Sequence, residues 1–265
     1  MSFSIEGKTA IVTGGANGVG CAIGRHFADQ GANVMFVDMD EDGLVNELGA
    51  AKDEGNVRYF AGDLREKLTM ANLLSATIDH FDQVDILVNA CRQVMVTDPL
   101  GVDDDTTETM LQQNLLNSLR LSQLVARRMI KQAAGNVESQ IGSIINLSSI
   151  AARRAHPDLM AYSIATAASD QMTRSLAVAL APHKIRVNAV AFGSVMSASL
   201  QETLKENADF RGDIEDHTPL QRIASPNELA AVQYLASDWS GFMTGQIMTL
   251  DGGRTLIDPV AAPAH

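Results

Sequence analysis

Only two cysteines, Cys21 and Cys91, occur in the 265 residues, far apart in the chain. They offer neither a disulfide framework nor paired-cysteine zinc spacing. The six histidines are scattered, with no HExxH pattern, so no metal is expected. Positive charge is scarce too. Lys and Arg number 20 against 32 Asp and Glu, a formal net charge of −12. Nucleic-acid binding needs clustered cations to neutralise phosphates, so that class is excluded. The acidity reads as solubility. The run Asp103-Asp104-Asp105, followed by Thr106 and Thr107, reads as a solvated helix start. No apolar run reaches membrane-spanning length and no signal-like segment opens the chain, so no membrane partner and a cytoplasmic location are expected. No linker rich in Pro, Gly and Ser divides it, so residues 1–265 are expected to form a single domain.

Hydrophobic residues make up 46% of the chain and aromatics only 5%. That small-aliphatic bias suits helices packed on a parallel sheet. Short apolar runs recur at Thr9–Thr13, Asn33–Asp38, Val57–Phe60, Asp85–Asn89, Gly142–Ser148, Arg186–Phe192 and Gln246–Leu250. Helical patterns lie between them, notably Gly18–Gln30, Thr107–Gln132 and Ala161–Ala181. The alternation predicts an α/β fold: a Rossmann-like, doubly wound, seven-stranded parallel sheet with helices on both faces. Ala134–Gln140 reads as a polar insertion and 258–265 as a loose tail. Ser194–Pro219 is a longer excursion beyond the carboxyl end of the sixth strand, where such folds bind ligands.

The first strand breaks into Thr13-Gly14-Gly15-Ala16-Asn17-Gly18-Val19-Gly20, and a helix follows. Glycines allow close approach of the backbone to a pyrophosphate, which a helix N-terminus stabilises. Downstream, Ser149 precedes Tyr162 near the start of a long helix. The glycine spacing and the Ser149–Tyr162 segment resemble those of the short-chain dehydrogenase/reductase family, classical type, similar to 3-oxoacyl-acyl-carrier-protein reductases. The resemblance spans about residues 5–255.

It implies a dinucleotide site built from Gly14, Asn17, Gly18, Val19, Gly20, Asp38, Met39, Asp63, Leu64, Asn89, Ala90, Cys91, Gly193, Val195 and Ser197. Asp38, closing the second strand, suits the ribose hydroxyls of NAD and repels a 2′-phosphate. Asp63 matches the aspartate that meets the adenine. Asn89-Ala90-Cys91 stands where relatives carry Asn-Ala-Gly. Cys91 is expected to be a buried apolar filler rather than a nucleophile. Phe192 replaces a proline before Gly193, and Val195 and Ser197 would hold the carboxamide.

The family tetrad of Asn, Ser, Tyr and Lys maps onto Asn114, Ser149, Tyr162 and Thr166. Ser149 would hydrogen-bond the substrate oxygen, with Ser148 as its rival, and Tyr162 would exchange a proton with that oxygen. Asn114 would hold a helix kink and a relay water. Thr166 stands four residues after Tyr162, in the place of the lysine. A free phenol titrates near pH 10, and losing a depression of about three units costs on the order of 4 kcal/mol. That is roughly a thousandfold in rate. Arg92, Arg153 and Arg154 are the cations that could substitute, and Arg92 is the preferred one. His156 is read as incidental. Thr166 could donate to a ribose hydroxyl.

The reading is an NAD-dependent oxidoreductase interconverting a small secondary alcohol and a ketone. A dinucleotide-binding protein without catalysis, or a non-redox member of dehydratase or lyase type, are the alternatives. Residues 194–219 would form an amphipathic lid containing Val195, Met196, Leu200 and Leu204. A homotetramer is implied by the resemblance alone.

Overall fold

The computed structural model describes residues 3–49, 55–133, 135 and 139–258. Most of the expected polar insertion and nearly all of the expected loose tail lie outside them. Seven strands form one parallel sheet: β1 (Thr9–Thr13), β2 (Asn33–Asp38), β3 (Val57–Ala61), β4 (Ile86–Asn89), β5 (Gly142–Ser149), β6 (Ile185–Phe192) and β7 (Ile247–Leu250). Their order is β3-β2-β1-β4-β5-β6-β7, and every pairing is parallel. This is the doubly wound α/β fold expected from the sequence, with strand ends shifted by no more than one residue.

Alternation along the strands sorts side chains to two faces. Ala10, Val12, Val34, Phe36, Ile86 and Val88 point to one face, where Ile23 and Phe27 of α1 (Gly18–Asp29) cover them. Leu44 of α2 (Glu41–Leu48) packs on the same side. Ile11, Met35, Val37, Leu87 and Ile144 point to the other face, against α3 (Lys67–Phe81). Both faces are buried, which is why these strands read as continuous apolar runs.

One expectation is corrected. The single helix over Thr107–Gln132 is three pieces: α4 (Thr106–Leu111), a π-helical segment Gln112–Leu116, and α5 (Asn117–Gln132). In that segment the Asn117 amide donates to the Gln112 carbonyl, five residues back. One extra residue per turn barely disturbs an apolar pattern, so periodicity cannot reveal it. α6 (Met160–Leu180) lies close to the expected long helix. The 194–219 excursion contains two helices, α7 (Ala198–Glu206) and α8 (Asp209–Asp216), and α9 (Ala230–Ala236) follows.

The winding direction changes between β1 and β4, which lie side by side. Open α/β sheets place their ligand crevice at the carboxyl ends of such strands. Thr13-Gly14 and Asn89-Ala90 stand there.

Candidate active site

The β1 exit and the β4 exit are joined by one side chain. Thr13 Oγ1 accepts the amides of Ala90 and Cys91, each at 3.0 Å. Gly14, at φ +68°, has its α-carbon so near that a Cβ would stand 3.0 Å from the Ala90 carbonyl and the Cys91 nitrogen. A Cβ on Gly20 would come 2.2 Å from the Gly14 oxygen. Only glycine permits this turn to fold under the first turn of α1. Asn17 precedes that helix in extended conformation and makes no side-chain cap. Gly18 and Val19 open it, with no acidic residue in the first turn, which suits an anion there.

Asp38 ends β2 beside this cradle, and its Oδ2 accepts the Ala16 amide at 3.1 Å. Met39, next to it, is exposed, whereas Leu64 is buried. Asp63 is engaged by its neighbour. Its carboxylate accepts from Arg65 Nε at 2.7 Å, and hydrogen bonding by Arg65 holds it below the ordinary carboxylate range.

Asn89 is buried and organises a polar chain beneath the crevice. Its Nδ2 donates to Ser122 Oγ at 3.0 Å and to Asn146 Oδ1 at 2.8 Å. Asn146 in turn donates to Thr173 Oγ1, and Thr173 to the Ser169 carbonyl. Satisfied networks of this kind rigidify the backbone that carries them. Ser122, Asn146, Thr173 and the latch Thr13 were missed by sequence reasoning. Only Thr13 had a signal, a hydroxyl at a strand end just before the glycine turn.

Cys91 is a correction. β4 ends at Asn89, so Cys91 already lies in the loop and is exposed rather than buried. Desolvation by nearby protein atoms, with Asp38 and Asp63 adding, still pushes the thiol up to about 11. A protonated thiol is a poor nucleophile.

Tyr162 enters from the first turn of α6 and is buried, packed with Met110 of α4 and with Ala161 and Ala165. Its ring borders a small cavity shared with Asn89, Asn114, Asn146 and Thr166. Asn114 sits in the π-helical segment and clasps the loop after β4. Its Oδ1 accepts the Gln93 amide, and its Nδ2 donates to the Gln93 carbonyl, both at 2.8 Å. The wide turn thus aims Asn114 at the chain that carries Arg92.

Ser149 ends β5 and accepts the Ala151 amide on its Oγ at 3.2 Å, while its neighbour Ser148 lines the small cavity beside Tyr162. The Ser148 hydroxyl donates to Asp170 at 2.5 Å. Asp170 is buried, and burial raises its carboxyl above the usual range against opposition from that hydrogen bond and from Arg153 and Arg174.

Of the three candidate cations, one reaches the phenol. Arg92 Nη1 donates to the Tyr162 hydroxyl at 3.1 Å. Arg153 donates to Thr249 Oγ1 at 2.7 Å, and Arg154 donates to the Thr255 carbonyl. Thr166 donates to the Tyr162 carbonyl at 2.7 Å, so its proton is held by its own helix rather than offered to a ribose. His156 is exposed and accepts the Asp158 amide.

Past β6, Gly193 donates its amide to Leu250 across the sheet edge, and a Cβ there would meet the Asp251 α-carbon at 3.0 Å. Val195 is buried and bridges to Ala224, and Ser197 caps α7 by accepting the Leu200 amide. Met196 and Ser197 share a cleft with Asn17 and Gly18. Phe192 keeps its strand pairing with Leu250 and is buried in the core. Among the described residues no helix is long and apolar enough to cross a membrane.

A family model described as enoyl-(acyl carrier protein) reductase matches residues 14–255. An uncharacterized oxidoreductase of Mycobacterium tuberculosis is 32% identical over 96% of this chain and 94% of its own length. A 2,3-dihydroxy-2,3-dihydro-p-cumate dehydrogenase of Pseudomonas putida is 31% identical, covering 97% of each. The crystal structure of a gluconate 5-dehydrogenase from Burkholderia cenocepacia, in complex with NADP and tartrate, superposes with a TM-score of 0.86. It is 26% identical and covers 97% of this chain and 98% of that one. With nearly its whole length matched and its sheet order and glycine turn in place, the chain belongs to the short-chain dehydrogenase/reductase family of oxidoreductases.

Proposed function

We propose that this protein is an NAD-dependent oxidoreductase that interconverts a small secondary alcohol and a ketone. The observation that carries the reading is the placement of the buried Tyr162 hydroxyl in one polar cavity with Asn89 and Asn114, at the end of the glycine cradle. The cradle fits a dinucleotide, because Gly14 and Gly20 let the β1 exit, the β4 exit and the first turn of α1 pack backbone to backbone, beside a helix N-terminus without acidic residues. When bound, the nicotinamide supplies the hydride donor or acceptor.

The chain's own residues do the rest. The α1 N-terminus, with Gly18 and Val19, faces the phosphates. Asp38 accepts from the ribose hydroxyls and repels a 2′-phosphate, which favours NAD although the Burkholderia neighbour holds NADP. Asn89, Ala90, Cys91, Met39, Asp63 and Leu64 border the adenosine. Gly193, Val195 and Ser197 hold the carboxamide. Ser149 donates to the substrate oxygen. Tyr162 takes the alcohol proton in oxidation and returns it in reduction. Asn114 braces the loop after β4 and orders a relay water. Residues 194–219, carrying α7 and α8, close over the substrate. A soluble, cytoplasmic homotetramer completes the reading.

NADH titration by fluorescence and a panel of secondary alcohols and ketones test it. Binding of NADH, with turnover that falls roughly a hundredfold or more in Tyr162→Phe, supports it. A folded chain that retains no dinucleotide, or turnover indifferent to Tyr162→Phe, overturns it. A second reading, cofactor binding without catalysis, draws on the threonine at 166, whose hydroxyl faces its own helix. NADH binding with no turnover across the panel would favour it.

A further inference from the structure

The relative position of charge and phenol in this site departs from the family's arrangement. There the cation comes from the tyrosine's own helix, one turn on. Here that position holds Thr166, which is neutral and bonded to the helix backbone. The cation comes instead from the opposite wall. Arg92 follows β4, and its Nη1 stands 3.1 Å from the Tyr162 hydroxyl. Its carrier loop is held on two sides. Thr13 accepts the amides of Ala90 and Cys91, and Asn114 clasps the backbone of Gln93. Arg92 is therefore the third residue of a four-residue stretch, Ala90 to Gln93, whose other backbone groups are anchored to β1 and to the π-helical turn.

We propose that Arg92 is a catalytic residue that supplies the positive charge the phenolate of Tyr162 needs, from the loop after β4 instead of from α6. The proposal rests on the oxidoreductase reading above. In the oxidation direction the alcohol O–H proton passes to the Tyr162 phenolate. The carbinol C–H leaves as hydride to the nicotinamide, and a C=O double bond forms. The proton on the phenol then returns to solvent. Arg92 exchanges no proton at any stage, because a guanidinium keeps its charge throughout the working pH range. Its donated hydrogen bond strengthens as the phenol oxygen becomes anionic, so the interaction favours the reacting form over the resting one. The π-helical turn gains a role from this arrangement, since Asn114 positions the arginine's loop.

The test reads the phenol directly as well as turnover. The chain has three tyrosines, so subtracting the spectrum of Tyr162→Phe isolates Tyr162. Among the described residues lining the cavity, Arg92, Cys91 and Tyr162 are the charged or titratable ones, and the Cys91 thiol stays protonated up to about 11. The near-ultraviolet tyrosinate signal of Tyr162 should appear only at higher pH in Arg92→Gln than in wild type, because the variant removes the donated positive charge. The same variant should lower kcat about a hundredfold with KM and NADH affinity little changed. Arg92→Lys should keep kcat within about tenfold, and Thr166→Lys added to Arg92→Gln should restore at least about tenfold. Circular dichroism establishes that each variant folds, and if Arg92→Gln does not, Arg92→Met replaces it. An Arg92 variant that folds and leaves both the tyrosinate signal and kcat at wild-type levels overturns the proposal. Should no substrate turn over, the tyrosinate signal alone decides this proposal, while the absent turnover counts against the oxidoreductase reading only.

Discussion

The hydroxyl of Thr166 donates to the carbonyl of Tyr162, 2.7 Å away on the preceding turn of α6. Back-bonding of this kind satisfies a threonine inside a helix and withdraws its proton from the cavity beside it. The residue in the lysine's place is therefore a helix-facing side chain with no charge. Thr166→Lys would bring a second cation toward a phenol that already has Arg92 at 3.1 Å. Turnover is expected to rise less than about tenfold, and stability to fall by roughly 1–3 kcal/mol because a buried ammonium replaces a satisfied hydroxyl. Steady-state kinetics and urea unfolding check both. A hundredfold gain in kcat would mean that Arg92 is not serving.

Asp38 accepts the Ala16 amide with one oxygen and the Asp40 amide with the other. Its carboxylate is thus held at the end of β2, beside the glycine turn. NADH is expected to bind at least about tenfold more tightly than NADPH, about 1.4 kcal/mol. Asp38→Ser should weaken NADH about tenfold while leaving NADPH equal or stronger. Parallel fluorescence titrations with both nucleotides measure it, and an unchanged ratio in the variant would remove Asp38 from cofactor selection.

Gly20→Ala places a methyl 2.2 Å from the Gly14 oxygen and 2.8 Å from the Thr13 oxygen. Both are backbone atoms and cannot swing aside. The turn must move away from α1, and a loss of roughly 2 kcal/mol or more in unfolding free energy is expected, together with loss of NADH binding. Thermal unfolding with and without NADH reads both effects. Wild-type stability and affinity in the variant would contradict the cradle described above.

Asp170 carries a pH prediction. Burial raises its folded-state carboxyl above the unfolded value, so the fold favours the protonated form. The stabilising contribution is complete below the unfolded value of about 3.9 and disappears as pH rises through the raised folded value. At pH 7 the charged carboxylate is a burden. Asp170→Asn keeps an oxygen to accept from Ser148 and removes the charge. The variant is expected to be more stable than wild type at pH 7, with the difference shrinking toward pH 3. Chemical unfolding at the two pH values checks the sign, and a variant less stable at pH 7 would refute it.

Much of the cofactor cradle was legible because its determinants are local. Gly14, Gly18 and Gly20 announce a tight turn between a strand and a helix, and Asp38 ends the next strand. Their partners follow from chain connectivity. The catalytic side was less legible. Ser148 and Ser149 are adjacent and chemically identical, and only the fold separates them: Ser148 donates to Asp170 and borders the cavity beside Tyr162, whereas Ser149 accepts the Ala151 amide. Cys91 was misjudged because the exposure of a loop residue depends on which elements pack around the loop, and composition does not record that. The π-helical turn left no periodic trace.

Alternating apolar runs and strand–helix order were enough to specify a doubly wound sheet, since burial on both faces demands that pattern of any parallel strand. The identity of residue 166 was equally plain, and with it the absence of an ammonium on α6. Which cation stands near the phenol was decided only in three dimensions. Arg92 and Tyr162 are 70 residues apart and meet because β4 and β5 pair, α6 packs over them, and a one-residue insertion in a helix turns Asn114 onto the arginine's loop. A hydrogen bond across that separation depends on distances of a few tenths of an ångström, and those follow from packing.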